Sequence, residues 1–214
     1  MTEPSADPIR ETPEAKPEFA TLTDRVRHAT GGLTTRLGEW GVRLHIHPDV
    51  VTVVGLLIVL VAAVVAARGQ FLLAGLLLLV GMPLDAVDGA IARAMGRKDR
   101  FGALLDSTFD RYADGAMLFA LAYYFAERGE LIQMTVAGVA LIGGFGVSYV
   151  RARAEGLGIR SIKEGWFDRM VRVVVLIVML LTGFVLPGLV VLAAGSQITA
   201  AQRMFAVWQA TRSD

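Results

Sequence analysis

The chain has 214 residues, of which 54% are hydrophobic and only 19% charged, with a mean hydropathy of +0.54. Soluble domains are less apolar and more charged, so an integral membrane protein is the leading class. A formal net charge of +1 leaves no dense basic surface for nucleic acid, and the absence of cysteine removes disulfides, thiolate metal sites and a cysteine nucleophile.

Residues 1–20, rich in Pro, Glu and Ala and without an apolar h-region, read as a disordered tail and not as a signal peptide. From Leu22 the apolar residues Leu22, Val26, Ala29, Leu33, Leu37, Trp40 and Leu44 recur at helical spacing, accompanied by Arg25, Arg27, Arg36 and Arg43. Residues 21–47 are therefore expected to form an amphipathic juxtamembrane helix. Either the membrane surface or the protein's own core accounts for its apolar stripe. The segment His47 to Thr52 then supplies a helix start, with Pro48 suited to an early helical position.

Six apolar segments follow, near Val50–Ala67, Phe71–Arg93, Phe101–Ala126, Leu131–Arg153, Val171–Leu186 and Gly188–Gln209. Each approaches the length that crosses a hydrocarbon core of about 30 Å. The expected fold class is thus all-α, with residues 48–214 forming a six-helix transmembrane domain. The last two segments are separated only by Leu186-Pro187-Gly188, and Pro83 is expected to kink the second.

Charge orients the bundle. Arg93, Arg97, Lys98 and Arg100 cluster in one link, and Arg151, Arg153, Arg160, Lys163, Arg169 and Arg172 in another. The alternate links hold only Arg68 on one side and Glu127, Arg128 and Glu130 on the other. The positive-inside rule then puts the basic links and both termini in the cytoplasm, with Trp40, Trp166 and Trp208 near that interface of the cell membrane.

A carboxylate at the centre of a membrane helix costs roughly 2.5–3.5 kcal/mol on insertion scales. Yet Asp85 and Asp88 share one helix face, and Asp106 and Asp110 share a face of the next, with Asp114 one turn further. A short link makes the two helices antiparallel neighbours, so the carboxylates converge at the cytoplasmic end. Divalent cations with oxygen ligands, Mg²⁺, Mn²⁺ or Ca²⁺, relieve that charge, and two ions roughly 3.5–4 Å apart suit phosphoryl transfer. Any single aspartate is also explained by an ion pair with Arg93, Arg111 or Arg153. For Asp114 an ion pair or a cap is as good a reading as metal ligation. Gly89 and Gly102 fit either a ligand approaching the backbone or close helix packing.

Read in order, the segment is Asp85-x₂-Asp88-Gly89-x₂-Ala92-Arg93-x₈-Gly102-x₃-Asp106-x₃-Asp110. At all eight fixed positions it resembles the signature of the CDP-alcohol phosphotransferases. Six membrane helices after a surface helix also resemble that family's layout, from about residue 30 onward. The resemblance implies that an acceptor hydroxyl attacks the β-phosphorus of a CDP-linked lipid, forming a phosphodiester and releasing CMP. It implies two divalent cations, Mg²⁺ or Mn²⁺, on Asp85, Asp88, Asp106 and Asp110, with Asp110 also the base. It places Gly89, Ala92, Arg93 and Gly102 at the cytidine-diphosphate site, with Asp49 and Thr52, and implies a homodimer.

The acceptor is read from three further stretches. Ser148 to Gly158, Gly165 to Arg172 and Gln202 to Trp208 are similar to the corresponding parts of the actinobacterial-type phosphatidylinositol-phosphate synthases. The second departs from that pattern at Met170 and Val171. The similarity implies CDP-diacylglycerol as donor and inositol 1-phosphate as acceptor, its phosphate held by Arg153, Arg172 and Arg203, then Arg151 and Arg169. Guanidinium groups suit a phosphate because they donate paired hydrogen bonds. Glycerol 3-phosphate, giving phosphatidylglycerol phosphate, is the alternative acceptor. An intramembrane prenyltransferase or a divalent-cation transporter also uses membrane aspartates, but neither gives Gly89, Arg93 and Gly102 a role.

Overall fold

A computed structural model describes residue 32 and residues 35–96, 100–159 and 165–212, apart from the side chain of Asp85. The expected N-terminal tail, the first half of the amphipathic helix, and Arg97, Lys98, Arg160 and Lys163 lie outside the described residues. All regular structure among the described residues is helical. The helices are α1 (residues 35–43 of it described), α2 (Pro48–Ala67), α3 (Phe71–Gly81), α4 (Leu84–Ala94), α5 (Arg100–Glu127), α6 (Leu131–Gly156), α7 (Arg169–Thr182) and α8 (Val185–Ala210).

Local chemistry explains most boundaries. Pro48 opens α2, where its missing N–H is not needed, and Asp49 sits in the positively polarised first turn. The second apolar segment is two helices and not one kinked helix. It breaks at Met82 and Pro83, because proline cannot donate to the preceding turn. Asp85 and Asp88 therefore belong to a short helix of their own. The final break falls at Gly183 and Phe184, upstream of the expected Leu186-Pro187-Gly188. Gly183 takes the left-handed conformation (φ 76°) that ends α7, whereas Pro187 is accommodated in the first turn of α8.

Among the described residues four stretches are long and apolar enough to cross a membrane: Pro48–Ala67, Phe71–Ala94 taken across its break, Leu131–Gly156 and Val185–Ala210. The two other expected spans differ for identifiable reasons. Helix α5 carries Asp106, Asp110, Arg111 and Asp114 within its apolar run, and α7 has only 14 residues. Large apolar side chains on the bundle's outside, including Leu57, Val61, Leu72, Leu79 and Ile142, stay exposed, as on a surface meant for lipid.

Helix α2 is the hub, packing against α3, α4 and α5, while α6 joins α5 to α8 and α7 joins α3 to α8. The carboxylate-bearing α4 and α5 both pack on α2. Val59, Leu78, Met117, Leu121, Leu180 and Leu189 form the centre of the core. Small residues let the helices approach closely: a Cβ on Gly81 would lie 2.9 Å from Ile58, and one on Gly188 2.4 Å from Met179.

The described part of α1 shows how the C-terminal half of the stripe sits. Gly38 and Gly41 are buried against Ala90 and Ile91 of α4, while Leu37, Trp40 and Leu44 point away and are 40%, 64% and 65% exposed. The helix therefore packs on the protein through its glycines and presents its apolar residues outward.

Candidate metal and phosphate site

Asp88 is the most enclosed of the described motif carboxylates, at 5% exposure. Its Oδ2 accepts a short hydrogen bond from the Thr52 hydroxyl, whose Oγ1 also lies 3.2 Å from the Pro48 carbonyl. The first turn of α2 is thereby tied to α4. Asp49, beside it, is partly exposed and lies 3.4 Å from Nδ1 of His47.

Asp110 lies on the side of α5 that opens into a cleft of about 310 Å³, lined by Thr52, Gly55, Phe109, Ala113 and Arg169 as well. Its Oδ1 is 2.7 Å from Nη2 of Arg169, and its Oδ2 is 3.7 Å from Nη1 of Arg111. Asp168 explains why Arg169 is there: as N-cap of α7 it accepts from the Val171 N–H at 3.1 Å, which starts the helix with Arg169 and Arg172 in its first turn. The preceding turn is pinned too. Phe167 is buried against Gly195, and Gly165 (φ 99°) lies against Thr199 and Arg203.

One turn beyond Asp110, Asp114 pairs with Arg172 at 3.2 Å. This settles Asp114 as an ion-pair member. Both line a second cleft, of about 460 Å³, together with Arg111, Ser148 and Ser196 and an apolar wall that includes Phe145. Arg172 is 7% exposed, and among the described residues neither its Nη1 nor the buried Ser196 hydroxyl has a hydrogen-bond partner.

The five arginines expected at an acceptor phosphate occupy different settings. Arg169 and Arg172 face the α5 carboxylates. Arg203 is buried and donates to the Val147 carbonyl at 2.9 Å, tying α8 to α6. Arg151 pairs with Glu155 at 3.0 Å on the exposed end of α6, and Arg153 is exposed nearby. Of the expected nucleotide residues, Ala92 and Gly102 are half-buried. Arg93 is exposed, its guanidinium 3.3 Å from where a Cβ on Gly89 would stand. Among the described residues nothing else lies within 4 Å of that position, so no described helix contact requires the glycine.

Among the described residues no three His, Cys, Asp or Glu side chains stand close enough together to hold a metal ion. The Asp85 carboxylate, which would complete the α4 pair, is not among them. What is described fits an oxygen-ligated divalent cation. Asp88 is a buried carboxylate oriented by a hydroxyl, and carboxylate oxygen is the kind of ligand that Mg²⁺ and Mn²⁺ take.

Sequence reasoning missed the Asp114–Arg172 pair, Ser148 and Ser196 as cleft residues, and the docking of Gly38 and Gly41. It also missed the Asp168 cap, although an aspartate directly before an apolar run is a legible helix-start signal. The i, i+3 glycines of α1 were the corresponding hint for close packing.

The family model for CDP-alcohol phosphatidyltransferase matches residues 45–208. The chain is 38% identical over 170 residues to an archaetidylinositol phosphate synthase of Pyrococcus horikoshii, covering 79% of this chain and 88% of that one. It is 36% identical over 187 residues to a phosphatidylinositol phosphate synthase of Cutibacterium acnes, covering 80% and 90%. Among solved structures it resembles Mycobacterium tuberculosis phosphatidylinositol phosphate synthase with CDP-DAG bound, with a TM-score of 0.75 at 29% identity over 82% of this chain and 93% of that one. The same enzyme in complex with manganese and citrate gives 0.73 at 30% identity, covering 82% and 88%.

Proposed function

The chain belongs to the CDP-alcohol phosphatidyltransferase family, and from that premise we propose that it transfers the phosphatidyl group of CDP-diacylglycerol to inositol 1-phosphate, giving phosphatidylinositol phosphate and CMP. The family match carries the reaction class, because it spans all eight positions of the aspartate motif. The relatives' names support the acceptor: the archaeal and bacterial enzymes differ in the lipid part of the name and share the inositol phosphate.

In this reading the acceptor hydroxyl oxygen attacks the β-phosphorus as Asp110 takes its proton. A phosphodiester bond forms, the anhydride bond breaks, and CMP leaves. Asp85, Asp88, Asp106 and Asp110 are the residues that would hold two divalent cations, Mg²⁺ or Mn²⁺, and such ions would supply the positive charge that neutralises the diphosphate and stabilises CMP as a leaving group. The Thr52 hydroxyl orients Asp88 for that task. Arg169, hydrogen-bonded to Asp110, holds the base's carboxylate in place and brings positive charge to the attacking end. Gly89 leaves room for the nucleotide beside Arg93, with Ala92, Gly102 and Asp49 around it. Arg172 takes the acceptor's phosphate, assisted by Arg153, Arg203 and Arg151.

The protein is a multi-pass membrane protein. We place six spans in the cell membrane, counting α5 and α7, with α1 lying at the cytoplasmic surface, both termini and the site on that side, and two copies forming a homodimer. The test is an acceptor panel: purified protein, CDP-diacylglycerol and Mn²⁺ or Mg²⁺, with inositol 1-phosphate or glycerol 3-phosphate, reading CMP release and the lipid product by mass. Turnover with glycerol 3-phosphate alone would reassign the acceptor. No CMP with any phosphorylated polyol would overturn the reading.

A further inference from the structure

Arg172 is half-used. Its Nη2 is 3.2 Å from Oδ2 of Asp114, while its Nη1, buried with the rest of the side chain, has no hydrogen-bond partner. A buried guanidinium edge left without an acceptor costs free energy, so a native structure that keeps one reserves it for something. Arg172 lines the 460 Å³ cleft, as does Ser196, whose buried hydroxyl also has no hydrogen-bond partner among the described residues. A Cβ on Gly144 would come within 3.9 Å of Arg172 Nε and otherwise meet nothing, so the cleft is open on the side of α6.

The flexible arm of an arginine has many rotamers, and α7 by itself fixes none of them. Asp114 selects one. Its carboxylate, on α5 one turn beyond Asp110, holds Nη2 at 3.2 Å, and so fixes the guanidinium plane of a side chain that lines the cleft. The planar fork then keeps the second edge aligned with whatever the first is bonded to.

We infer that Asp114 is a positioning residue for the acceptor: by holding Arg172 it presents a preorganised guanidinium edge to the acceptor's phosphate. The inference rests on the proposed reaction for the identity of the ligand, though not for the geometry. It also carries a distinctive sign. A carboxylate near an anion site should weaken anion binding if it acts through charge alone, and strengthen it if it acts by fixing the arginine.

The experiment uses the full-length protein in detergent micelles and inorganic phosphate as probe, read as the phosphate-dependent rise in melting temperature. Asp114→Ala removes charge and contact together and should weaken phosphate binding about tenfold, the worth of a charge-assisted hydrogen bond. Asp114→Asn keeps an acceptor oxygen and should weaken it less. The KM for the phosphorylated acceptor should rise in the same order, while the KM for CDP-diacylglycerol stays put. Should the alanine variant not fold, Asp114→Glu decides: it keeps the charge but displaces the arginine, so it weakens phosphate binding under positioning and leaves it unchanged under a pure charge role.

Phosphate binding unchanged or tightened in Asp114→Ala, both KM values rising together, or no phosphate binding by the unmodified protein would each overturn the inference. If the phosphate series behaves as expected but no phosphorylated polyol yields CMP, the proposed reaction fails and the role of Asp114 stands.

Discussion

The hydroxyl of Thr52, one turn into α2, donates to the buried carboxylate of Asp88 on α4. This bond joins two helices separated in sequence by all of α3, and it orients the best enclosed of the described motif carboxylates. Thr52 also lines the cleft that Asp110 faces, so one residue of α2 borders a carboxylate of α4 and one of α5.

Thr52→Val keeps the shape of the side chain and removes the donor. Partners that orient metal ligands are worth about 10- to 100-fold in metal affinity. Mn²⁺ binding, followed by electron paramagnetic resonance, should weaken by that order, and raised Mn²⁺ should restore much of the CMP release.

Chelation tests the carboxylate set as a whole. Treatment with EDTA should abolish CMP release, and Mn²⁺ or Mg²⁺ should restore it. Ca²⁺ also takes oxygen ligands but tolerates irregular geometry, and should restore less. Activity that survives chelation would remove the metal role from Asp85, Asp88, Asp106 and Asp110.

Asp110→Asn is isosteric and cannot take a proton. CMP release should fall about 10²- to 10⁴-fold, the usual contribution of a positioned base. The amide oxygen still accepts from Arg169 at the position now 2.7 Å away, so the melting temperature should move little. A variant that keeps wild-type turnover would assign the base elsewhere.

Two glycines separate ligand space from packing space. A Cβ on Gly89 would meet only the mobile end of Arg93, whereas one on Gly38 would stand 2.8 Å from the backbone oxygen of Ala90. Gly89→Ala should therefore leave the melting temperature nearly unchanged and raise the KM for CDP-diacylglycerol. Gly38→Ala should lower the melting temperature by loosening α1 from α4.

Gly195→Ala probes the turn ahead of α7. Its Cβ would lie 2.7 Å from the ring of Phe167, which is 3% exposed and has nowhere to go. Overpacking of this kind costs about 1–3 kcal/mol. Because Phe167 directly precedes Asp168 and Arg169, the acceptor KM should rise together with the loss of thermal stability.

Much of the molecule was legible before any coordinates. Apolar runs and Pro48 are local signals, and they located most helices to within a few residues. The motif from Asp85 to Asp110 pointed to the reaction class because its spacing is itself chemical information. The last helix break was misplaced by three residues for an equally local reason. Gly183 and Pro187 both look like breakers, and only the backbone shows that the glycine is left-handed while the proline fits into a first turn.

By itself, then, the sequence determined which residue types stand on which helix, since hydrophobic period, caps and breakers act within a few residues. The tertiary structure alone decided which charges meet. Asp114 and Arg172 lie 58 residues apart, and their encounter depends on how α5 and α7 sit around a shared cleft. For Asp110 the sequence offered Arg93, Arg111 or Arg153 as ion-pair partners; Arg111 does lie 3.7 Å away, and the shorter contact, at 2.7 Å, is with Arg169, which the sequence did not single out for it. Ion pairing falls off within a few ångströms, while a small change in packing moves a side chain by more than that. No reading of one helix at a time could choose among so many arginines.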